Sequence, residues 1–364
     1  MSSIWKNKLS LSIFGQSHGA AIGMTLDGVP AGIAIDMDEL GAFLSRRAPG
    51  KQAWSSARKE DDVPEFLAGI VDGKTCGAPI TAIIRNKNAN PADYKELAKI
   101  PRPSHADFAA FMKYGEAWDS SGGGHFSGRL TAALCIAGGI CLQILEKHGI
   151  FIGAHISSIG GVKDAPMDVI NISKEALIKL STKDFPTFDA KAAERMKQEI
   201  ERAKNDGDSI GGSIGCVAIG IPAGLGEPMF DGMENQISRL IFAIPAVKGI
   251  EFGAGFEAAS MRGSEHNDPF YWDESQETPR IKTRTNNHGG ILGGITTGMP
   301  LTFRVAIKPT PSIAMEQESV YLDKVESARI EIKGRHDPCI VPRALPCVAA
   351  VAAIVVYDAV LGER

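Results

Sequence analysis

Gly28-Val29-Pro30-Ala31-Gly32-Ile33 returns as Gly220-Ile221-Pro222-Ala223-Gly224-Leu225. Each copy follows a strand-like run and precedes a helical pattern that opens near an aspartate, Asp36 or Asp231. Proline fixes φ and glycine accepts positive φ, so both segments read as tight turns. The pair fits a strand–turn–helix unit used twice, as in a fold with internal pseudo-twofold duplication. Its spacing is too long for a solenoid.

Outward from these turns, strand-like runs cover residues 9–14, 22–26, 80–84, 150–156, 214–221, 301–307 and 330–332. Helical patterns cover 36–47, 127–147, 189–205, 231–241 and 344–360. The 127–147 helix carries Leu130, Leu134, Ala137, Cys141, Ile144 and Leu145 on one face, so it packs deep. No Pro/Ser-rich linker or low-complexity tract divides the chain. Residues 1–364 therefore read as one α+β domain built of two related halves.

Composition narrows the function. The chain is 44% hydrophobic and 23% charged with a net charge of −4, ordinary for a soluble globular protein and wrong for a general polyanion binder. Aromatics are 7% and do not alternate with basic residues, so nucleic acid is not expected. Cations gather locally: Arg46, Arg47, Lys51, Arg58, Lys59, Arg85, Lys87, Arg102 and Arg129 occupy the first third. Beside glycine-rich turns they suit a small, multiply charged anion, although each alone reads as a solvated charge. The six cysteines show neither C-x-x-C nor zinc spacing, so no metal is expected and reduced thiols in the cytoplasm are. The start, Met1-Ser2-Ser3-Ile4-Trp5-Lys6, lacks a signal-peptide core. Residues 344–357 are uncharged, but a bilayer span needs roughly 20 residues, so this reads as a buried helix rather than a membrane anchor.

Three segments concentrate titratable groups: Gly15-Gln16-Ser17-His18-Gly19, Arg102-Pro103-Ser104-His105-Ala106-Asp107 and Gly334-Arg335-His336-Asp337-Pro338-Cys339. An arginine beside a histidine makes sense where a phosphate is held and its leaving oxygen protonated. The bland alternative makes Ser104 and Asp107 helix caps, with His105 facing water. Ser120-Ser121-Gly122-Gly123-Gly124 precedes the 127–147 helix and would expose N–H groups to a phosphate, or merely turn the chain. Asn286-Asn287-His288-Gly289-Gly290-Ile291-Leu292-Gly293-Gly294 fits either a flat ligand or close strand packing. Lys308-Pro309-Thr310-Pro311-Ser312 is a stiff loop that either grips a phosphate or ends a strand. P-loop, zincin, nucleophile-elbow and Rossmann motifs are missing.

Taken in order, these segments resemble the chorismate synthases. So do Arg46-Arg47-Ala48-Pro49-Gly50, Arg58-Lys59-Glu60-Asp61-Asp62, Lys113-Tyr114-Gly115, Gly207-Asp208-Ser209-Ile210-Gly211-Gly212, Ala246-Val247-Lys248-Gly249 and Arg262-Gly263-Ser264. The resemblance implies a layered β-α-β sandwich with internal pseudosymmetry, assembled as a homotetramer. It implies a lyase of the shikimate pathway of aromatic amino acid biosynthesis, which converts 5-enolpyruvylshikimate-3-phosphate to chorismate and phosphate. The trans-1,4 elimination needs reduced FMN without consuming it. NADPH enters only if the chain reduces its own flavin, and no separate reductase module is visible in the sequence.

By the same resemblance, His18 is the acid that serves the flavin and His105 the acid that protonates the departing phosphate. Asp337 assists proton removal from ring C6, relayed through flavin N5. Arg47, Arg102, Arg129 and Arg335 hold the substrate's phosphate and carboxylates. The flavin lies along Arg47, His125, Phe126, Ser127, Pro245, Ala246, Gly293, Lys308, Pro309, Thr310, Pro311, Ser312 and Arg335. Some positions depart from the family pattern: Gln16 replaces an acidic residue, Ala48 and Ala53 replace arginines, His125-Phe126-Ser127-Gly128-Arg129 replaces Arg-Ser-Ser-Ala-Arg, and Ala349 replaces a glutamate. Two alternatives stay open: a flavin-dependent oxidoreductase, which would oxidise flavin at each turnover, and a non-catalytic protein that binds a phosphorylated ligand.

Overall fold

The computed structural model describes residues 3–50, 62–86, 99–275, 277–332 and 336–362. One sheet contains β1 (Ile4–Lys6), β2 (Ser10–Gly15), β3 (Ala21–Asp27), β4 (Glu65–Ala68) and β7 (Ile80–Arg85), with a hairpin of β5 (Ile70–Val71) and β6 (Lys74–Thr75) between the last two. The other contains β8 (Phe151–Ile159), β9 (Val162–Lys163), β10 (Gly212–Ile219), β11 (Val247–Phe252) and β16 (Leu301–Ile307). Three further ribbons pair β12 (Phe270–Asp273) with β13 (Arg280–Thr283), β14 (Ile291–Leu292) with β15 (Ile295–Thr296), and β17 (Gln317–Val320) with β18 (Ser327–Ile330). The α-helices are α1 (Met37–Arg47), α2 (Asp107–Tyr114), α3 (Thr131–Lys147), α4 (Lys174–Ser181), α5 (Ala190–Asn205), α6 (Met233–Ile241), the single turn α7 (Gly263–His266) and α8 (Val341–Leu361).

The sheets repeat one plan. Strand order β2-β3-β7-β4 in the first matches β8-β10-β16-β11 in the second, and every pairing is antiparallel. The quoted turns sit at equivalent places and are closed by equivalent threonines. Thr75 Oγ1 accepts from Ile33 N (2.9 Å) and donates to Pro30 O (2.6 Å). Thr296 Oγ1 accepts from Leu225 N (2.9 Å) and donates to Pro222 O (2.7 Å). Each threonine ends a two-residue hairpin of the same register, Ile70↔Thr75 and Ile291↔Thr296. The structure thereby discloses a second sequence echo. Gly69, Ile70, Gly73, Thr75, Gly77 and Pro79 recur as Gly290, Ile291, Gly294, Thr296, Gly298 and Pro300.

Between the sheets lies a layer of helices. Helix α3 packs on β2, β3 and β7, α8 packs on β8 and β10, and α3 and α8 pack against each other. They cross at Gly138, where an added Cβ would overlap Ala350, so no larger residue fits without separating them. With the turn before it α3 is long and apolar enough to cross a membrane, and so is α8; 89% and 78% of their most apolar windows are buried between the sheets instead. This is the sandwich that the resemblance implied.

The expected helices form close to their expected bounds, for local reasons. Asp36 caps α1 by accepting from Asp38 N and Glu39 N, and Arg46 and Arg47 complement the dipole in its last turn. Asp189 caps α5 in the same way. The 127–147 pattern opens as a 3-10 turn, Gly128–Leu130, capped by Ser127. Helix α8 begins at Val341, with Pro342 at its start. The strand expected over 330–332 instead runs from Ser327 to Ile330, where its partner strand ends: Ile330 pairs with Gln317, the first residue of β17.

Candidate active site

Gly122 and Gly123 sit between the two upstream histidine segments. At φ 61° and 98°, both adopt left-handed backbone that disfavours other residues. A Cβ on Gly122 would collide with the His18 imidazole, and one on Gly123 would stand 3.1 Å from His105 Cε1. The glycine run therefore brings backbone against two imidazoles, rather than only presenting N–H groups at a helix start.

His18 lies in the β2–β3 connection. Its Nδ1 is 3.0 Å from Ser17 Oγ, and Ser17 Oγ donates to Ser121 O (3.2 Å). A carbonyl only accepts, so the serine proton goes there and Nδ1 of His18 is the donor in the first bond. Ser17 N donates to Gly124 O, and Asn86 Nδ2 donates to Gln16 O and Gly19 O, which fixes this loop from both sides.

Arg102 and His105 stand before α2 rather than inside it. Ser104 has φ 58°, which turns the chain so that Arg102 Nη2 and His105 Nδ1 come within 3.0 Å. Asp107 forms a two-pronged pair with Arg102 (Nε–Oδ2 2.7 Å, Nη2–Oδ1 2.8 Å) and meets His105 Nδ1 at 2.6 Å. No side chain caps α2, and His105 is largely enclosed, so the bland reading of this segment as a capped, solvated turn fails. Burial alone would raise the Asp107 carboxyl, but hydrogen bonds from Arg102 and His105, and their charges, hold it well below the usual carboxylate range.

A second buried carboxylate organises the other arginines. Asp62 accepts from Arg47 Nη1 (2.7 Å) and pairs with Arg129 Nη1. Burial would raise its pKa; the charges of Arg47 and Arg129 lower it. Arg47 also donates to Thr131 Oγ1 (3.1 Å) and Gly128 O (3.0 Å), so three of its donors are engaged within the protein. Arg129 Nε reaches Asn86 Oδ1 (3.3 Å), which ties this cluster to the His18 loop.

The C-terminal half supplies the remaining wall. Arg102 Nη1 reaches Ser312 Oγ (3.4 Å), and Lys308 Nζ donates to Ser104 O. Thr310 Oγ1 donates to Asp337 O (3.2 Å). The Asp337 carboxylate pairs with Arg343, whose Nε donates to Arg47 O (3.0 Å). Contacts thus run from Arg129 through Asp62, Arg47 and Arg343 to Asp337, whose carbonyl meets Thr310. Ser312 of the same loop meets Arg102, and His105 and His18 lie against the adjacent Gly123 and Gly122. His336 belongs to this wall: burial lowers its pKa, with the Arg102 charge acting in the same direction. Among the described residues, Asp62, Ser104 and Ala246 are three of the few non-glycines at positive φ, and all three lie here.

The remaining expected positions divide. Ala246 O accepts from Lys308 N (2.9 Å), so Pro245 and Ala246 stand next to the Lys308–Ser312 loop. Burial, and then the neighbouring Lys248, lower the Lys308 pKa. A pair of lysines and an enclosing loop suit a phosphate group, and Gly128 has open space where a side chain would stand. His125 is engaged elsewhere: Nδ1 meets Gly15 O (3.0 Å) and Nε2 meets Ser3 Oγ (2.7 Å). Phe126 is exposed and packs near Tyr114. Gly293 is at the tip of the β14–β15 hairpin. Gly289 and Gly290 are pressed against Gly253, Thr302 and Pro300, so close backbone packing accounts for these two, whereas Gly293 has open space around it. Gln16 is exposed, while Ala48 and Ala349 are buried. Arg85 points outward to Glu65. Arg335, Ala53, Lys51, Arg58, Lys59 and Lys87 lie outside the described residues. Sequence reasoning missed Asp62 as the shared partner of two arginines, and it missed Asn86 and Arg343 altogether. The adjacent Asp61-Asp62 pair beside so many cations was the one available signal.

A family model described as chorismate synthase matches residues 9–361. The chain is 44% identical to a chorismate synthase of Lancefieldella parvula, over 98% of this chain and 96% of that one. It is 45% identical to one of Thermococcus gammatolerans, over 98% and 97%. A crystal structure of chorismate synthase superposes with a TM-score of 0.76 at 29% identity, covering 98% of this chain and 92% of the other. A match over nearly the whole length, in sequence and in fold, means that the chain belongs to the chorismate synthase family.

Proposed function

We propose that this chain eliminates phosphate from 5-enolpyruvylshikimate-3-phosphate in the trans-1,4 sense to give chorismate, with reduced FMN bound and not consumed. The observation that carries this reading is the pair of imidazoles backed by consecutive glycines, with Arg102 held by Asp107 beside one of them. The substrate is a polyanion, and the electrostatics suit it. Two guanidiniums share one carboxylate at Asp62, which leaves a net positive cluster, and a protonated His105 leaves the Arg102–Asp107 group positive as well.

His105 delivers a proton to the bridging oxygen as the phosphate leaves, and Arg102 stabilises the growing charge on that group. Asp337, aligned by Arg343, assists removal of the C6 proton. Arg129, Arg47 and Arg335 complete the anion site, and His18 holds a proton toward the flavin. Lys308 to Ser312, Pro245, Ala246 and Ser127 hold the cofactor. Reduced flavin bound there would supply electron density to the elimination, with no net redox change overall. The chain uses reduced flavin supplied from elsewhere, acts in the cytoplasm, and assembles as a homotetramer. Phe230, Phe256, Phe270 and Trp272, all largely exposed, support burial of apolar side chains between copies.

The test is an anaerobic assay with chemically reduced FMN and the enolpyruvyl substrate. Equal amounts of phosphate and chorismate, with the flavin still reduced, are expected. Flavin oxidised in step with turnover would favour an oxidoreductase, and binding without phosphate release would favour a non-catalytic protein. Light scattering should give four times the 38.7 kDa chain mass.

A further inference from the structure

We infer that Asp107 is a positioning residue that sets both the tautomer of His105 and the aim of Arg102. This rests on the reading of His105 as the acid for the leaving phosphate. Asp107 opens α2, yet its side chain turns back instead of capping the helix. Oδ2 accepts from Arg102 N (3.1 Å) and Arg102 Nε (2.7 Å); Oδ1 accepts from Arg102 Nη2 (2.8 Å) and His105 Nδ1 (2.6 Å). Four donors converge on a carboxylate whose side chain is 1% exposed, which uses its full complement of lone-pair directions.

The tautomer follows from this arrangement. A carboxylate kept ionised can only accept, so His105 Nδ1 must carry a hydrogen to approach it at 2.6 Å. Arg102 Nη2 is also a donor, so its 3.0 Å approach to Nδ1 is a consequence of sharing Oδ1 and not a bond to the ring. Nε2 is then the nitrogen that gains and loses the working proton. It lies on the side of Gly123, where a Cβ would stand 3.3 Å away and narrow the approach. The same carboxylate orients Arg102, whose Nη1 extends to Ser312. One buried charge therefore couples the acid to the guanidinium that receives the leaving group. The arrangement parallels the buried aspartate that orients histidine in serine proteases, although the chain order and fold are unrelated.

Asparagine at 107 keeps the shape but offers one acceptor edge and one donor edge, so either an Arg102 N–H or the His105 Nδ1–H meets another donor. Asp107→Asn is expected to lower kcat about 100-fold or more, the scale of a misaligned general acid, with a smaller change in KM. The discriminating experiment is a double-mutant cycle with His105→Ala, read as kcat for phosphate release. If Asp107 works through His105 as well as Arg102, Asp107→Asn costs at least about 10-fold less in the His105→Ala background, the remainder being the share carried by Arg102, because groups that act as a unit are not additive. An equal cost in both backgrounds would mean that Asp107 does not act through His105, and would overturn the inference. Near-normal turnover in His105→Ala would instead remove the reading on which it rests.

If Asp107→Asn does not fold, solid-state nitrogen NMR of the wild-type enzyme decides. The protein would be labelled only at its eight histidines, with the His105 signals identified by their loss in His105→Gln. A protonated Nδ1 on His105 is expected at pH 8.5; a bare Nδ1 there would overturn the inference.

Discussion

The two halves of this molecule share a frame and differ in their connections. Both have the same strand order, the same threonine-closed turn and the same two-residue hairpin, and each contributes one long central helix. The connections do not match. Residues 16–20 join β2 to β3, whereas 160–211 join β8 to β10 and contain α4 and α5. The α1–β4 link is 48–64 against 242–246 for α6–β11. The links into the central helices are 86–130 and 308–340. Nearly all of the candidate chemistry lies in these unmatched stretches: Ser17 and His18, Asp62, Arg102 to Arg129, Ala246, Lys308 to Ser312, and Asp337. Arg47 and Arg343 are the exceptions, at the ends of α1 and α8 that face the connections. The repeated frame forms the scaffold, and the unmatched connections carry the candidate site.

Each prediction separates frame from connection. The largest effect is expected at Asp62. Asp62→Ala leaves Arg47 and Arg129 as buried cations without their shared counter-ion, a loss of about 3–5 kcal/mol. Denaturant unfolding should show it, and a loss below about 1 kcal/mol would mean that the cluster is solvated. His18→Ala and His105→Ala come next: each should lower kcat about 100-fold or more while Tm stays within error. Full activity in both would break the assignment of chemistry to the connections. In the frame, Thr75→Val and Thr296→Val each strand a turn N–H and a carbonyl, so each should cost about 1–3 kcal/mol and leave kcat unchanged. Similar losses at the two sites would sharpen the equivalence of the halves; a loss at only one would break it.

The smallest effect is a pH dependence. Burial lowers the pKa of both His288 and His336, so the unfolded chain binds protons more readily than the folded one. Their contribution to stability is complete above the unfolded value of about 6.5 and falls as pH drops through the lowered folded values. Tm should therefore decline from pH 6.5 downward. Asp62 and Asp107 act in a lower window. Their folded pKa values are depressed, so their contribution holds above about pH 4 and is lost only below it.

The sequence was legible where local chemistry decides. Asp36 and Asp189 announce helix starts through capping, and the apolar stretches of α3 and α8 announce burial. The histidine segments stood out because titratable groups crowd into turns bounded by glycine and proline. What stayed hidden depends on approach across long separations. Arg343 reaches the Arg47 carbonyl from 296 residues away, and Arg129 meets Asp62 from 67 residues away. No periodicity encodes such contacts. The glycines at 122 and 123 were visible as a turn, but their use against two imidazoles needed the fold. The Gly69–Pro79 echo escaped because its substituted positions outweigh the resemblance until the paired hairpins are superposed.

The central claim is that unmatched connections from both halves enclose one ligand site between His18 and His105. A crystal structure with FMN and the enolpyruvyl substrate tests it most directly. The account predicts the phosphate within hydrogen-bond distance of His105 Nε2 and Arg102, with the flavin along Lys308 to Ser312. Ligands seated away from the Gly122–Gly123 loop, or contacting only one half of the chain, would contradict it.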